Sequence, residues 1–297
     1  MRTSSILLLF WVFLSLNQAE CQIDFRIPET ELAYHCDVMT NASEIKHRKA
    51  AMEKFNPDFY NILLQKGSFH YPFDSLKWIS KKSPSDASFR IFSWEVKLDD
   101  GDVRYFGVLQ MANDKVYLLK DEFKNSEGHA IEEFSHENWL GAVYYNLMEV
   151  NPSNGEKYFL LFGANRWNKY ETVKLVDVLF FSKEGLPYFG KPVFSKTEKD
   201  KSVILQNRLL FKYASDAVMT VNYNPGMGMI VFDNLIRKMS RIPGQGETLV
   251  PDGSYVGYVY ENDVWNRLDK IATEVMDEAP RPNPVLDNRK GKKIFGN

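Results

Sequence analysis

The residues of this chain best suited to chemistry are histidines and glutamates in the segment Gly128–Gly141. His129, Glu132, Glu133 and His136 are spaced at i, i+3, i+4 and i+7. On an α-helix these side chains would share one face, where they could ligate zinc or iron. Zinc-hydrolase motifs instead place two histidines four residues apart with the glutamate between them. We keep two interpretations, a metal site and a polar segment that faces solvent.

A second candidate site is the loop Asn165–Tyr170, which joins two strongly apolar segments. Arg166, Trp167 and Tyr170 are residue types that stack on and hydrogen-bond a sugar ring or a peptide. We therefore predict that these three residues bind a ligand. The alternative is that Trp167 folds back and covers a sheet.

Clustered carboxylates raise the possibility of a glycosidase, which needs two of them facing each other. Asp99, Asp100 and Asp102 lie together, and Asp252 lies in another segment. Their DDGD and PDGS contexts are typical of hairpin turns, so a turn is the better interpretation. The sequence contains no phosphate-binding glycine loop in a strand-to-helix context and no CxxC pair, and we expect no cofactor.

The N-terminus has the pattern of a secretory signal peptide. One arginine precedes the apolar run Ile6–Leu16, which is too short for a bilayer-spanning helix of about 20 residues. Cleavage after Cys21 would leave Cys36 as a lone thiol. Cleavage after Ala19 would let Cys21 and Cys36 form a disulfide, and lipidation of Cys21 is a third alternative. No later segment is apolar and long enough to span a membrane.

Composition limits the partners. The chain of 297 residues has 37 basic and 39 acidic residues, a balance that argues against nucleic acid as the main partner. The order of patterns predicts a leader (1–21), a partly helical segment (22–82), a β-rich domain (83–277) and a disordered basic tail (278–297). In the helical segment, we expect Ser43 to cap a helix that Pro57 interrupts and that ends by Gly67.

The β-rich domain consists of short alternating or apolar runs separated by turn residues. They form groups of three that predict antiparallel meanders. The predicted strands are Phe89–Leu98, Val103–Met111, Val116–Leu119; Ala142–Val150, Tyr158–Gly163, Val173–Phe181; Arg208–Tyr213, Val218–Tyr223, Met229–Leu235; and Ser254–Glu261, Val264–Leu268. We predict an all-β fold with a small N-terminal helical segment. The repetition favours a propeller-like arrangement, and a β-sandwich or an open barrel is the alternative.

Several of these runs also resemble a known family. RIFSWEV, RYFGVLQ, WLGAVYYN, KYFLLFGAN, VKLVDVLFF, FGKPVF, MIVFDNL and VPDGSYVGY are similar to segments of uncharacterised exported proteins typical of Bacteroidetes, over about Phe73 to Leu268. The resemblance implies a location in the periplasm or at the outer cell surface. It carries no established activity and therefore no catalytic residue. It also makes Asp74, Ser75 and Leu76 similar to the short O-glycosylation signal of that phylum.

Two functions remain open at this point. The first is an exported binding or assembly module that contacts a glycan, a peptide or an envelope protein. The second is a secreted hydrolase of envelope or dietary polymers, whose carboxylates or metal come together only on folding. A pocket with two carboxylates or both histidines would favour the hydrolase, and an aromatic-lined groove without them would favour binding. We expect binding rather than catalysis.

Overall fold

The computed structural model describes residues 24–99, 102–122, 129–153, 155–197, 200–269 and 271. The predicted leader, with Cys21 and both cleavage positions, lies outside the described residues. So does the basic tail from residue 278. The predictions of export, lipidation, a Cys21–Cys36 disulfide and tail disorder therefore concern residues that the structure does not describe.

Two helices begin the described chain, α1 (Arg26–Asn41) and α2 (Ile45–Leu63). The expected interruption at Pro57 was wrong, because α2 runs through this residue. Burial of Phe55 and Phe59 on either side of Pro57 outweighs the one lost backbone hydrogen bond. The predicted cap was also wrong, since the N-cap is Glu44 and no side chain caps the helix.

The strands follow in chain order. They are β1 Ser80–Lys82, β2 Phe89–Asp99, β3 Asp102–Met111, β4 Val116–Leu119, β5 Phe134–Ser135, β6 Val143–Val150, β7 Tyr158–Asn165, β8 Glu171–Phe181, β9 Pro187–Phe189, β10 Phe194–Thr197, β11 Val203–Gln206, β12 Leu209–Ala214, β13 Val221–Asn224, β14 Met229–Met239, β15 Glu247–Glu261 and β16 Val264–Leu268. Short 3-10 helices lie at Ser68–His70 and His136–Asn138.

These strands form three sheets. Sheet one has the order β1-β2-β3-β4, sheet two β5-β9-β8-β7-β6 with β12 also on β8, and sheet three β11-β10-β16-β15-β14-β13. Apart from one parallel bridge between β10 and β16, the pairings between strands are antiparallel. The all-β prediction with a small helical segment is confirmed. The third predicted meander was wrong in one respect, because β12 pairs with β8 rather than with β13.

The sheets stack face to face as layers. One core cluster joins the helices to sheet one, a second joins sheets one and two, and a third joins sheets two and three. None of these described clusters joins sheet one to sheet three, so the described stack is open rather than closed into a ring. Sheets one and two are thus buried on both faces, which explains why β7 reads as a nearly continuous apolar run and why consecutive residues of β2 and β8 are buried. No described helix is long and apolar enough to cross a membrane.

A buried arginine attaches the helical segment to sheet one. The Arg90 guanidinium donates hydrogen bonds to Gln110 Oε1 at 2.7 Å and to the carbonyl oxygens of Tyr71 and Ser68 at 2.6 Å each. Gln110 Nε2 in turn donates to the Leu63 carbonyl, at the end of α2. Burial lowers the pKa of Arg90 to about 10. This network connects the helical segment to β2 and β3 through buried polar contacts.

A second buried arginine organises sheet two. Arg208 Nε donates to Asp177 Oδ1 at 2.8 Å, and both side chains are fully buried. The same guanidinium donates to the backbone carbonyls of Glu132 and Phe189, and also to that of His129. The segment that carries the predicted metal ligands is therefore fixed to sheet two through its main chain.

The substitution Arg90→Met should lower the free energy of unfolding by about 3 kcal/mol or more. Gln110 Oε1 and the Tyr71 carbonyl would lose the donor that Arg90 supplies, and each such acceptor costs about 1–3 kcal/mol when left unbonded, whereas the Ser68 carbonyl would keep its bond from Tyr71 N–H. Chemical denaturation followed by tryptophan fluorescence measures the difference. Arg237→Met is the matched control, because the Arg237 side chain is 80% exposed. Equal stability of the two variants would contradict this role of Arg90.

The Cys36 thiol should resist alkylation in the folded protein. Cys36 is completely buried in α1, and this burial raises the pKa of its thiol to about 11. Below pH 10 little of the reactive thiolate is therefore present. Mass spectrometry after iodoacetamide treatment at about pH 8 should show modification only once denaturant is added. The protein used begins at Gln22. If iodoacetamide modified its folded form at the rate of a free thiol, the buried position of Cys36 would be contradicted.

Candidate functional site: an aromatic and cationic groove

The predicted ligand loop is a tight connection between β7 and β8. Asn168 Oδ1 accepts hydrogen bonds from the backbone N–H groups of Tyr170 at 2.7 Å and Glu171 at 2.9 Å. These bonds stabilise the turn locally, and asparagine side chains bond nearby backbone N–H groups in this way in many loops. The loop therefore holds Arg166 and Trp167, which precede Asn168, in fixed positions.

Trp167 covers the sheet rather than projecting into solvent. It is partly buried and packs against the core between sheets one and two. Lys212 Nζ lies 4.3 Å from its ring centroid, and the His129 ring lies edge-on at 5.7 Å. Tyr170 is anchored through its carbonyl oxygen, which accepts hydrogen bonds from Ser215 N and Gln245 Nε2.

The four residues of the metal prediction are not on one helix. His129 lies in a turn, Glu132 and Glu133 are exposed in an irregular segment, and His136 begins a 3-10 helix. The His129 ring contacts Trp167, whereas the His136 ring lies 5.2 Å from that of Tyr117. The shared helical face on which the metal hypothesis depends is therefore not formed. Within the described ranges, no group of three or more His, Cys, Asp or Glu side chains could hold a metal ion.

Arg166 lines a groove between the first and second sheets. The groove has a volume of about 520 Å³ and adjoins a smaller depression of about 400 Å³. Arg166, Thr172 and Ser215 line both, so the two form one continuous surface. Neither Trp167 nor Tyr170 lines it. Of the three predicted ligand residues, the structure places Arg166 alone in the groove.

Strand register explains the floor of the groove. Val143, Ala164 and Lys174 are cross-strand neighbours on β6, β7 and β8, and all three line the groove. Ala164 is the smallest of the three and lies in the middle of this row. Thr172 and Lys174 are two residues apart on β8 and so point to the same face of the sheet.

Aromatic side chains form much of the wall. Trp78, Trp94, Tyr145 and Tyr213 line the groove. Trp78 is half-exposed, whereas Trp94 and Tyr213 are buried. Tyr145 is held in place by a hydrogen bond from its hydroxyl to the Val221 carbonyl at 2.7 Å. The groove thus offers one accessible indole surface on a wall of fixed aromatic rings.

The charges of the groove are mainly positive. Arg166 Nε donates to Glu95 Oε1 at 2.8 Å, and the Tyr105 hydroxyl donates to Glu95 Oε2 at 3.1 Å. Burial raises the pKa of Tyr105, so its hydroxyl stays protonated. Glu95 is the one carboxylate among the described lining residues of either depression. Both of its oxygens are already engaged.

Lys174 has no acidic partner of this kind. Its Nζ lies 4.3 Å from the centroid of the Tyr145 ring, and no described carboxylate lies within 4.0 Å of it. Partial burial lowers the pKa of Lys174, because the charged form loses water. Lys97 and Lys169 line the smaller depression and already have other partners. Lys174 is therefore the cation through which the groove can accept an anionic group.

A larger cleft of about 730 Å³ lies beside the groove, between α2 and the β3–β4 side of sheet one. It shares Trp94 with the groove and Val103 with the smaller depression. Its lining is largely apolar. It includes Phe106, Val108 and Leu118 and two carboxylates, Asp102 and Asp121, and contains none of the predicted ligand or metal residues.

Comparisons with known protein families, with curated proteins and with solved structures find no match for this chain. The resemblance to exported proteins of Bacteroidetes therefore stays a prediction.

Sequence reasoning identified Arg166 and missed its neighbours in the groove. Trp78 lies in an irregular segment, and Glu95 and Lys174 lie inside strands, where charged residues ordinarily indicate a solvent-facing side. One signal was available in the sequence. Lys174 and Asp177 interrupt the otherwise apolar run Val173–Phe181 of β8, in which both faces are buried, and Asp177 is the one that Arg208 pairs with.

The substitution Trp167→Ala should lower the free energy of unfolding by about 2 kcal/mol, because it removes a partly buried indole from the edge of the core. Trp78→Ala is the matched control and should change the stability by less than half as much. Urea denaturation of both variants measures the difference. A Trp167→Ala variant as stable as the parent chain would show that this indole does not support the sheet.

Proposed function

We propose that this chain is an exported binding module whose ligand lies in the Arg166 groove, and that the ligand is an acidic glycan. Export is supported by the leader-like N-terminus and by the resemblance to exported proteins. The observation that carries the binding proposal is the composition of the groove, which combines accessible aromatic surface with cations in excess of carboxylates.

Each part of the groove has a counterpart in such a ligand. The half-exposed Trp78 ring offers a flat apolar face on which a sugar ring can stack. Lys174 and Arg166 supply donors for a carboxylate, and charge-assisted hydrogen bonds of this kind are the stronger ones. Thr172 and Ser215, which line both depressions, add hydroxyl groups that can bond sugar hydroxyls.

The hydrolase alternative has less support. A glycosidase that uses two carboxylates holds them about 5–10 Å apart across the scissile bond. The described lining of the groove supplies Glu95 alone, and Arg166 and Tyr105 engage both of its oxygens. The larger cleft supplies two carboxylates, Asp102 and Asp121, but both already have other partners, and Asp121 Oδ1 accepts a hydrogen bond from Gly141 N–H. A metal-dependent hydrolase would need a ligand set, and the described residues do not form one. Binding is therefore the function that the geometry supports best.

Calorimetry with an oligouronate and with the neutral oligosaccharide of the same length tests the proposal. The chain from Gln22 onward should bind the oligouronate at least tenfold more tightly, and higher ionic strength should weaken this binding. Lys174→Met should reduce the affinity about tenfold or more, as expected for losing one charge-assisted hydrogen bond. Lys183→Met, at an exposed lysine after β8, is the control of equal charge and should leave the affinity unchanged.

Equal binding of both oligosaccharides, or equal effects of the two lysine variants, would contradict the proposed role of the groove. If an acidic peptide bound instead of the oligouronate, with the same dependence on Lys174, the groove would stand as the binding site and the glycan would be wrong as its ligand. Release of shorter oligosaccharides during the titration would favour the hydrolase.

A further inference from the structure

The hairpin β10–β11 forms one edge of sheet three and extends beyond it. β10 pairs with β11 over four residues, from Phe194↔Gln206 to Thr197↔Val203. β10 joins the rest of the sheet through one bridge, Phe194↔Trp265. The remainder of the hairpin is therefore a two-stranded projection, and such a unit has little stability by itself.

The outer strand of this projection is apolar on both faces. Val203, Ile204 and Leu205 are consecutive and are 64%, 37% and 43% exposed. Because successive side chains of a strand point to opposite faces, neither face of β11 is polar over these residues. No described strand pairs with the outer edge of β11.

Soluble proteins ordinarily protect such an edge with a charged residue, a proline or a bulge. β11 has none of these over Val203–Gln206, and its pairing with β10 is regular. The apolar surface also continues past the strand. Asn207 N donates to the Ala130 carbonyl at 2.7 Å, which brings the 59% exposed Ile131 to the base of the hairpin.

We propose that β11 pairs antiparallel with β11 of a second copy of this chain and joins the two copies of sheet three across a two-fold axis. The symmetry restricts the register. In an antiparallel ladder, successive pairs of facing residues alternate between a hydrogen-bonded and a non-hydrogen-bonded type. The two-fold axis converts each pair into a second pair, and the two must be of the same type because they are symmetric copies. The axis must therefore pass through a residue that faces its own copy.

Ile204 is the residue that best satisfies this condition. With Ile204 opposite the partner's Ile204, Val203 lies opposite the partner's Leu205, and every exposed apolar residue of the strand faces another one. A register centred on Leu205 would instead place Val203 opposite the partner's Asn207. The strand has no charged residue, so two copies meet without repulsion between like charges.

The size of the contact sets its strength. Two four-residue strands with the neighbouring Ile131 side chains bury less than the roughly 1,200–2,000 Å² of a stable interface. The dimer is therefore weak and forms as the protein concentration rises.

Sedimentation equilibrium of the chain from Gln22 onward tests the proposal. Up to about 0.5 mM, the average mass should rise toward twice that of the monomer. Ile204→Lys should abolish this association, because it places two ammonium groups face to face on the axis. Val218→Lys, at a side chain that is 84% exposed elsewhere on the surface, should associate like the parent chain.

A cysteine at the same position tests the register. Directly opposed residues of an antiparallel ladder have Cα atoms about 4.5–5.5 Å apart, which suits a disulfide. Ile204→Cys should therefore form a covalent dimer on mild oxidation, and Val218→Cys should not. If the parent chain stayed monomeric over the whole concentration range, the proposal would be overturned, and a strand of another protein would be the next candidate partner for this edge. Association unaffected by Ile204→Lys, or equal cross-linking of the two cysteine variants, would also overturn it.

Discussion

The candidate site depends on a buried positive charge that has no carboxylate partner among the described residues. Arg90 is held by amide and carbonyl oxygens, and its Cζ lies 4.9 Å from the Phe92 ring and 5.2 Å from the Phe73 ring. Carbonyl dipoles and ring faces replace the lost hydration of the guanidinium only if all of them are in place. Arg90 therefore fixes the chain that follows α2 against sheet one, and the wall residue Trp78 lies five residues beyond Phe73. The position of the groove wall follows from this network.

Layering explains why the groove lies where it does. Sheets one and two bury both of their faces, so few of their side chains are free to contact a ligand except where the layers end. At that end, the loop between β7 and β8 directs Arg166 toward Glu95 of sheet one, while Trp167 turns into the core. The ion pair connects the two layers across the groove. Because the Arg166 side chain is 62% exposed, this pair contributes little to stability and stays accessible to a ligand.

The strands of the central layers could be predicted because burial on both faces leaves continuous apolar runs such as Tyr158–Gly163. Short strands such as β1 and β9 span too few residues to show a repeating pattern of apolar and polar positions. The helix α1 was hard to predict for another reason, because it buries Glu29 and His35 where an amphipathic pattern would require apolar residues. The groove was predictable only at Arg166, since its other residues come from distant segments that meet through strand register and layer packing. The metal cluster failed to form a shared face for a related reason. The main chain of that segment is bonded to Arg208 rather than wound into a helix.

Nuclear magnetic resonance of the tryptophan indole N–H groups is the most direct test of where the ligand binds. The chain contains six tryptophans, and Trp11 lies in the predicted leader, so five signals are expected from the chain beginning at Gln22. On titration with an oligouronate, the signals of Trp78 and Trp94 should shift, because both rings line the groove. Those of Trp139, Trp167 and Trp265 should stay, since these rings pack within or against the core. A shift confined to Trp167, or an unchanged Trp78 signal at saturating ligand, would contradict the groove as the binding surface.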